Sequence, residues 1–338
     1  MTAEPTATGR SLPAELHAYE PGDRDLERIV EFQNRFGPPA HWTSVATARH
    51  AETAAPEPNR KRFIVEDASG AIVAVAVTSD GGLFRPADGS WRVTLRVDPR
   101  WRRRGVGSSM LSRLEAHAAQ KRALRLIAAV RANEPEGAAF AKVHGYSPFH
   151  ERIDAYIDVP NFDAAGFADP DATARQIGVR LATYGELLDE NASNVEQFQR
   201  AMLPAIWAMA RDVPAPTPMP ETPPPFEQAR RMFFEGPGID RDTTILALRD
   251  REIVGMSVTA VKENGTAYTN FTGVARAERG KGVALAMKLR ALRALKERGI
   301  KLFGTTNDEQ NAAMRGINRK LGYVPDAPTV MYEKKLTS

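Results

Sequence analysis

The sequence predicts an α/β fold that is built twice in one chain, each copy being a mixed, mostly antiparallel sheet flanked by helices. The chain has 338 residues, which is enough for two domains of ordinary size. It contains an internal repeat, and each copy of the repeat shows the same order of strand-like and helix-like patterns. With 42% hydrophobic and 26% charged residues, the composition is that of a globular protein.

The internal repeat consists of two basic, glycine-containing segments. Residues 97–107 read VDPRWRRRGVG and residues 274–284 read VARAERGKGVA, a shift of 177 positions. The same shift places Gly145 on Gly322. Matches that stay collinear over this length indicate a duplicated domain, and so long a period indicates tandem domains and not a solenoid.

Each copy combines short alternating or apolar runs with two stretches in which apolar residues recur at helical spacing. In the first copy the predicted strands are 62–66, 72–79, 91–97, 124–130 and 153–159, and the predicted helices are 106–121 and 135–143. In the second copy the predicted strands are 244–248, 253–261, 267–274, 302–306 and 329–335, and the predicted helices are 283–298 and 309–320. This order favours an α/β sheet in both copies.

The boundary between the copies is predicted within residues 160–176, which are rich in Asp, Ala and Pro and show no periodicity. We therefore expect an N-terminal domain over residues 1–165 and a C-terminal domain over residues 166–338. A second proline-rich stretch, residues 213–225, is interpreted as a loop inside the second copy, because strands that the repeat requires lie beyond it.

Composition excludes several classes of function. A net charge of +4 does not indicate a nucleic-acid-binding protein. The absence of cysteine removes disulfides, thiolate zinc sites and cysteine nucleophiles. No run approaches the ~18 apolar residues that a membrane span needs. We expect a cytoplasmic protein with no metal and with neither a nucleic acid nor a membrane as partner.

All the histidines lie in the first half of the chain, at His17, His41, His50, His117, His144 and His150. No two of them form the helical pair beside a glutamate that zinc hydrolases require. The second half has no imidazole base of its own, so an imidazole can act there only if the first half reaches across.

In both copies a predicted strand runs into a basic turn that opens a long helix, with Gly105 or Gly282 at the first helical turn. Free backbone N–H groups at a helix start form a cradle for anionic oxygens, and the helix dipole adds attraction. Arg102 and Arg279 stand at equal distances from the helix start and can add charge-assisted bonds. A diphosphate suits such a cradle, and the alternative for one copy alone is a plain strand–turn–helix with solvated arginines.

Arg102-x-x-Gly105-x-Gly107 and Arg279-x-x-Gly282-x-Ala284 resemble the Arg/Gln-x-x-Gly-x-Gly/Ala motif of the GNAT superfamily of acetyltransferases. A later segment of the second copy is similar to the family's Asn-x-x-Ala-x-x-x-Tyr-x-x-x-Gly-Phe, and it reads Asn311-x-x-Met314-x-x-x-Asn318-x-x-x-Gly322-Tyr323. The resemblance covers nearly all of both copies and implies two tandem GNAT-like domains.

The resemblance implies that the loops hold the pyrophosphate of acetyl-coenzyme A, the co-substrate, and that an acetyl group moves directly to an amine. The implied coenzyme-binding residues of the first copy are Val97, Arg102, Arg103, Arg104, Gly105, Val106 and Gly107. Those of the second copy are Val274, Arg279, Gly280, Lys281, Gly282, Val283, Ala284, Asn307 and Asn311. By the resemblance, the backbone N–H of Val274 or Val97 faces the acetyl carbonyl.

We predict that the second copy is catalytic and that the first binds coenzyme A without turnover or acts as a scaffold. On a strand, residues of one parity share a face, so polar groups are expected together at Tyr268, Asn270, Thr272 and Val274. The counterparts in the first copy are expected to form an apolar wall of Trp91, Val93, Leu95 and Val97. The predicted catalytic residues are Tyr268, Asn270, Thr272 and Asn318.

The usual acid and base of the family are replaced in both copies. The family's strand glutamate position holds Tyr268 or Trp91, and its tyrosine position holds Asn318 or Ala141. Asp308 and Glu309 are candidates for a proton relay through water, with Tyr268 as a candidate acid. The alternative is that the two carboxylates only complement a helix dipole.

The acceptor is expected to be a small-molecule amine, and the chain a monomer or homodimer. A stripe of Met and aromatic residues on predicted helices 195–211 and 226–234 is either an apolar acceptor wall or plain core; it comprises Met202, Ile206, Trp207, Met209, Met232, Phe233 and Phe234.

Two other functions of the protein remain open. One is a non-catalytic acyl-coenzyme A-binding sensor, and the other is a nucleic-acid patch around Trp101, which ignores the repeat.

Overall fold

In the computed structural model, residues 12–82, 85–217 and 219–336 are described. The strands and α-helices described in the first copy are β1 (His17–Tyr19), α1 (Leu26–Asn34), α2 (Val45–Ala54), β2 (Lys61–Glu66), β3 (Ile72–Ser79), β4 (Ser90–Val97), α3 (Val106–Gln120), β5 (Arg125–Arg131), α4 (Pro135–Val143) and β6 (Ser147–Asp158). Each strand and helix predicted for this copy is present, while β1, α1 and α2 precede the predicted elements.

The second copy follows the same plan with additions at its start. Its elements are α5 (Pro170–Gln176), β7 (Arg180–Thr183), α6 (Tyr184–Glu190), α7 (Val195–Arg211), α8 (Phe226–Ala229), β8 (Ile245–Arg249), β9 (Glu252–Val261), β10 (Thr266–Val274), α9 (Val283–Glu297), β11 (Leu302–Asp308), α10 (Ala312–Lys320), β12 (Val324–Pro325) and β13 (Thr329–Lys335). A π-helical turn, Arg230–Phe234, continues α8. The predicted α/β fold with two repeats of one plan is confirmed.

Two helix starts differ from what apolar periodicity indicates. The segment 160–176, which has no such periodicity, contains α5, because the Asp169 side chain caps the helix by accepting from the N–H of Ala172 and Pro170 occupies the first helical position. The helix predicted over 309–320 begins only at Ala312, because the side chain of Asn311 caps it there. In both places a side-chain cap, and not apolar periodicity, sets the helix start.

All of these strands form one sheet, and the copies exchange their last strands. The strand order is β1-β2-β3-β4-β5-β13-β6-β11-β10-β9-β8-β7, with β12 beside β6. The last strand of the first copy, β6, therefore pairs with β11 of the second, while β13 at the end of the second copy pairs with β5 of the first. Neither copy completes its sheet alone, which consecutive, self-contained domains would do.

The exchange fixes how the copies face each other. Three antiparallel pairings separate β5 from β11, so these equivalent strands run in opposite directions. Two copies arranged in this way are related by a two-fold axis perpendicular to the sheet. Such an axis places α3 and α9 on the same face of the sheet. We call this the helix α9 face. On the opposite face α7 packs against β9 and β10.

The connection between α1 and α2 reaches onto the second copy. Its 3-10 turn, Pro39–His41, lies against β10 and β11. The Ala40 carbonyl accepts a hydrogen bond from Lys262, and His50 on α2 contacts the Arg231 carbonyl at 2.9 Å. The first copy thus covers part of the second copy's sheet on the face opposite α9.

Among the described residues, none of the helices has the length and apolarity needed to cross a membrane. The same part of the chain contains no group of three or more His, Cys, Asp or Glu side chains placed to hold a metal ion.

Candidate active site

The two glycine-containing loops have the same backbone geometry. Gly105 and Gly282 precede their helices in the left-handed conformation, with φ of +86° and +88°. Gly280 also has a positive φ, and at the equivalent position of the first copy Arg103 adopts φ of +62°. A Cβ atom at Gly280 or Gly282 would meet nothing within 4 Å, so the space over the start of α9 is open. Such a helix start can receive anionic oxygens.

The predicted rim arginines fasten each loop to the strand before it. Arg102 Nε donates to the Val97 carbonyl at 3.2 Å, and Arg279 Nε donates to the Val274 carbonyl at 3.0 Å. In the second copy, Arg279 also forms an ion pair of 2.6 Å with Asp212 of α7. Hydrogen bonds from its arginine partners hold the pKa of Asp212 well below its usual range. These contacts position the loops and leave the helix-start N–H groups as the anion donors.

The other loop residues lie either at the surface of the loop or in the core below it. Lys281 Nζ lies 3.2 Å from Glu278, and the Arg104 guanidinium lies 4.8 Å from the centre of the Trp101 ring. Both cations are thus held at the loop surface, near the helix start. Val106 and Val283 begin their helices as buried residues, which anchors each cradle to the core below it.

In the first copy a cleft opens where β4 and β5 part. Their pairing ends at Val93 and Ala128, and beyond this point lies a cavity of about 960 Å³ between α3 and α4. Its walls include Leu95, Gly107, Leu111, Val130 and Phe140. The cavity leads from the parting strands to the glycine loop, and its floor is apolar.

In the second copy the strands part after Thr269 and Thr305. The Ala275 N–H donates to the Val254 carbonyl at 2.8 Å. Because pairing in an antiparallel ladder alternates, the N–H groups of Thr272 and Val274 point away from β9 and into the gap between β10 and β11. Two backbone donors, the N–H groups of Thr272 and Val274, therefore face the gap.

The predicted common face of Tyr268, Asn270, Thr272 and Val274 is wrong. A β-bulge shifts the register of β10 between Thr269 and Phe271. Asn270 is the extra residue, and its side chain donates to the Gly238 carbonyl at 2.7 Å. One extra residue inverts the parity of everything beyond it, so Tyr268 lies on the face opposite α9 while Thr272 and Val274 lie on the helix α9 face.

The bulge also corrects the predicted alignment of the copies. Ala267 pairs with Phe303 as Trp91 pairs with Leu126. Ala267 and Trp91 are both buried in the clusters beneath the long helices. The counterpart of Trp91 is thus Ala267 and not Tyr268, and the second copy has one residue more in this strand.

On the helix α9 face, buried polar groups line the floor of the gap in the second copy. Lys288 on α9 is 1% exposed, and its Nζ lies 3.5 Å from Thr269 Oγ1 and 5.0 Å from the centre of the Tyr323 ring. Burial lowers the pKa of Lys288 to about 7. The equivalent residue of the first copy is Leu111, so the repeat itself predicts an apolar residue at this place.

Asn318 on α10 belongs to the same floor. It is 3% exposed, and neither polar atom of its side-chain amide has a hydrogen-bond partner within the part of the chain that the structure describes. Ala141 stands at the equivalent position and lines the cavity of the first copy. Asn307 at the end of β11 is also buried, and Asn311 accepts from the Met314 N–H at 3.1 Å as the cap of α10.

On the opposite face a hydrogen-bonded chain runs from one copy into the other. The Tyr268 hydroxyl contacts the Thr306 hydroxyl, which donates to Asp154 Oδ1 on β6. His41 Nε2 lies 3.2 Å from Asp154 Oδ2. The Tyr268 hydroxyl, a candidate acid in the sequence analysis, therefore contacts Thr306 on the face opposite α9.

The electrostatics of this chain follow from burial and hydrogen bonding. Burial raises the pKa of Tyr268 to about 12. Burial would also raise the pKa of Asp154, but hydrogen bonds from His41 and Thr306 outweigh it and lower the pKa. Sequence reasoning missed both His41 and Asp154. The one available signal was that all histidines lie in the first half of the chain. This showed that an imidazole acting in the second copy must come from the first copy, but it did not show which histidine supplies it.

The predicted relay carboxylates lie at the end of β11. Asp308 is buried and contacts His150 Nε2 at 2.5 Å, and its other oxygen accepts from the Gln310 N–H at 2.9 Å. Glu309 is partly exposed beside the same histidine. Asp308 thus closes a second contact between β11 and β6, and neither carboxylate lies in the first turn of α10.

The Met and aromatic stripe belongs mainly to the core. Met202, Met209 and Phe234 are buried in one cluster with residues of α6, β8 and β9. Trp207 is buried as well. Ile206 and Phe233 are partly buried against that cluster. The core interpretation therefore accounts for most of this stripe.

The chain matches the family model described as the acetyltransferase (GNAT) family twice, over residues 26–146 and 206–323. The solved structures it resembles include a GCN5-related N-acetyltransferase from Sphaerobacter thermophilus, at 20% identity and a TM-score of 0.69, covering 96% of this chain and 97% of that one. A tandem GNAT protein from the clavulanic acid biosynthesis pathway matches at 19% identity and a TM-score of 0.70, covering 96% and 99%. At such identities the likeness concerns the fold.

A third similar structure is a GCN5-related glucosamine N-acetyltransferase region of a fungal multi-domain β-N-acetylglucosaminidase. It is 14% identical with a TM-score of 0.64, and the match covers 95% of this chain and 38% of that one. No curated protein matches the chain by sequence.

Proposed function

The chain belongs to the GNAT family of acetyltransferases, and we propose that it transfers an acetyl group from acetyl-coenzyme A directly to the amine of a small molecule, with the chemistry in the second copy. Acyl transfer is the activity of the family. The choice of acceptor class and of the catalytic copy rests on the two clefts.

One observation carries the choice of the second copy. The gap between β10 and β11 has polar groups on both faces of the sheet, with Lys288 and Asn318 on one face and the Tyr268–Thr306–Asp154 chain on the other. The equivalent gap of the first copy is floored by Leu111 and Ala141. Transfer between an amine and a thioester moves charge and protons, which polar groups can stabilise and apolar ones cannot.

The second copy offers a residue for each binding task. The N–H groups at the start of α9 and the loop from Arg279 to Ala284 would hold the pyrophosphate. The N–H groups of Thr272 and Val274 face the gap and would donate to the acetyl carbonyl oxygen as negative charge develops on it. The buried amide of Asn318 stands at the family's tyrosine position and would donate to the sulfur.

For the first copy we propose coenzyme binding without turnover. Its loop adopts the left-handed conformation at the same two positions as the loop of the second copy. Its cavity of about 960 Å³ reaches the point where β4 and β5 part. Leu111 and Ala141, which stand on its floor where the second copy has Lys288 and Asn318, cannot exchange protons. The predicted division of labour between residues 1–165 and 166–338 is kept in this proposal, although the last strands are exchanged.

A second candidate function is acyl-coenzyme A binding without turnover. It is favoured because Tyr268 and Asn318 stand at the positions where the family has its catalytic glutamate and tyrosine. The two are separated by incubating the protein with acetyl-coenzyme A and a panel of amines while measuring the release of free thiol. Acceptor-dependent release supports the transferase, and binding without release supports the second candidate. Calorimetric titration with acetyl-coenzyme A then counts one site or two per chain.

A further inference from the structure

We propose that His41, oriented by Asp154, is the general base of the second-copy site, so that the first copy supplies the imidazole which the second copy lacks. This inference rests on the proposed function, because it assigns a residue to the proton that the acceptor must lose. An amine reaches the site mainly as an ammonium ion, and it can attack only after a base has removed a proton.

Two elements of the first copy place the pair. The 3-10 turn that ends at His41 lies on β10 and β11, and Ala40 beside it is fully buried and bonded to Lys262. Asp154 sits on β6, the exchanged strand, where it is directly opposite Thr306 of β11. The imidazole and the carboxylate therefore come from segments that are distant in sequence and that both cross into the second copy.

The geometry fits an oriented base. Asp154 is 4% exposed, and Thr306 occupies one of its carboxylate oxygens. The other oxygen faces His41 Nε2 at 3.2 Å. A carboxylate at this distance keeps the imidazole proton on Nε2, which leaves the lone pair on Nδ1. The side chain of His41 is 40% exposed, so an acceptor can reach it.

The pair lies at the level where the strands part. Thr306 follows Thr305, the last β11 residue paired with β10, and Tyr268 precedes Thr269, the last paired residue of β10. Both side chains point to the face opposite α9. An acceptor held on this face would enter the gap beside His41, while the leaving thiol would depart along the helix α9 face, past Lys288 and Asn318.

The step balances without any further reactant. Nδ1 of His41 takes a proton from the acceptor ammonium, and the freed nitrogen lone pair forms the N–C bond to the acetyl carbon. The C–S bond breaks and the sulfur keeps its electron pair. The attacking nitrogen then gives up its second proton, which passes to this sulfur and yields the amide and the thiol of coenzyme A. The imidazolium returns its proton to water, so one amide, one thiol and one proton leave the site.

Other groups near His41 set its surroundings. Tyr268 meets the imidazole edge to face at 5.2 Å between ring centres, and the Tyr156 hydroxyl lies 3.5 Å from Asp154. From the end of β9, Lys262 lies 5.4 Å from the Tyr268 ring centre, and burial lowers the pKa of Lys262 to about 8. Arg131, paired with Asp326 at 2.7 Å, adds a positive charge beyond Asp154.

The test uses the full chain and the acceptor found in the amine panel. We expect His41→Gln to lower kcat/KM about 100-fold or more at pH 7, the usual contribution of a general base, and to flatten the rise of kcat/KM with pH. His41→Ala should regain part of its activity when imidazole is added. Asp154→Asn should lower kcat/KM and shift the pH profile. Binding of acetyl-coenzyme A by calorimetry should be unchanged in the histidine variants.

His50→Gln is the matched control, because His50 also bonds the first copy to the second but does so at the Arg231 carbonyl, away from the gap. It should keep the wild-type pH profile. The proposal is overturned if His41→Gln retains the wild-type pH profile with less than a threefold loss, or if His50→Gln loses as much as His41→Gln. A wild-type chain that turns over no amine defeats the proposed function itself, which is a different result.

Discussion

The two copies share a frame and differ at its centre. Both have the same left-handed loop, the same arginine-to-carbonyl bond and the same parting of two parallel strands. Three positions around the parting differ, since Val93, Leu111 and Ala141 of the first copy stand where the second has Thr269, Lys288 and Asn318. The backbone of the loop is thus the same in both copies, while polar side chains occupy these three positions in the second copy alone.

The difference extends to the opposite face. A bulge at Asn270 turns Tyr268 toward Asp154, whereas β4 pairs with β3 in one continuous register. The polar chain of the second copy depends on a strand and a turn of the first copy. The proposed specialisation of the second copy is therefore linked to the strand exchange, because the candidate site of that copy includes residues of the first.

The largest effect is expected when the two copies are separated from each other. Residues 166–338 expressed alone should fail to give a folded monomer, because β11 loses β6 and β13 loses both of its partners. Circular dichroism and size-exclusion chromatography of this fragment should show a partly folded or aggregated chain. Mixing it with residues 1–165 should restore a 1:1 complex. A fragment that unfolds cooperatively as a monomer would contradict the role given to the exchange.

Gly282→Glu should abolish acetyl transfer, while Gly105→Glu should leave it largely intact. Each change puts a carboxylate into an anion cradle, and each residue has almost the same positive φ, so the backbone strain of about 1–2 kcal/mol is matched. We expect a fall in kcat/KM of roughly two orders of magnitude or more for Gly282→Glu alone. Equal loss from both variants, with both folded, would overturn the choice of the second copy.

The loops and the order of elements could be predicted from sequence because local signals determine them. Glycine is needed at Gly105 and Gly282 for a positive φ, and the helices that follow carry clear apolar periodicity. The bulge at Asn270 was missed because the two copies were aligned on their glycine-containing loops, which follow the bulge in the chain, and the same shift was then applied to the residues before it. Upstream of Asn270 the shift is one residue smaller, and a single extra residue leaves little trace in an apolar strand.

The exchange and the cross-copy chain could not be predicted in the same way. The pattern of a strand indicates which of its residues share a face but does not select the strand that lies beside it, so the exchange leaves no signal in either last strand. His41 and Asp154 come together only through that pairing. Lys288 did carry a signal, because a lysine replaces an apolar residue on the buried side of a repeated helix, where a charge is costly.

Lys288→Met should stabilise the protein at neutral pH. No salt bridge to Lys288 exists among the described residues, and burial holds the pKa of Lys288 near 7, below its ordinary 10.5. Between these values the unfolded chain binds a proton that the folded chain does not, so wild-type stability rises as pH increases through this range. At pH 7 and below, the variant should therefore be more stable by a few kcal/mol, at about 1.4 kcal/mol per pKa unit.

Thermal unfolding from pH 6 to pH 10 measures this, and the gain should shrink as the pH rises. Leu111→Lys is the mirrored control, and it should destabilise the first copy with the opposite pH dependence of the difference. A Lys288→Met variant that is less stable than the wild type at pH 7 would show that the ammonium makes net favourable contacts with the rings of Phe303 and Tyr323.

The smallest expected effect concerns Asn318. Its amide is buried and has no partner among the residues that are described, which costs about 1–3 kcal/mol. Ala141 shows that the frame accepts alanine at this position. Asn318→Ala should therefore raise stability by about 1 kcal/mol while lowering kcat, because the donor to the sulfur is lost. The reciprocal Ala141→Asn should reduce stability and leave turnover unchanged. If Asn318→Ala gained stability and kept its full kcat, the amide would have no part in transfer, and the polar floor of the second copy would reduce to Lys288 and Thr269.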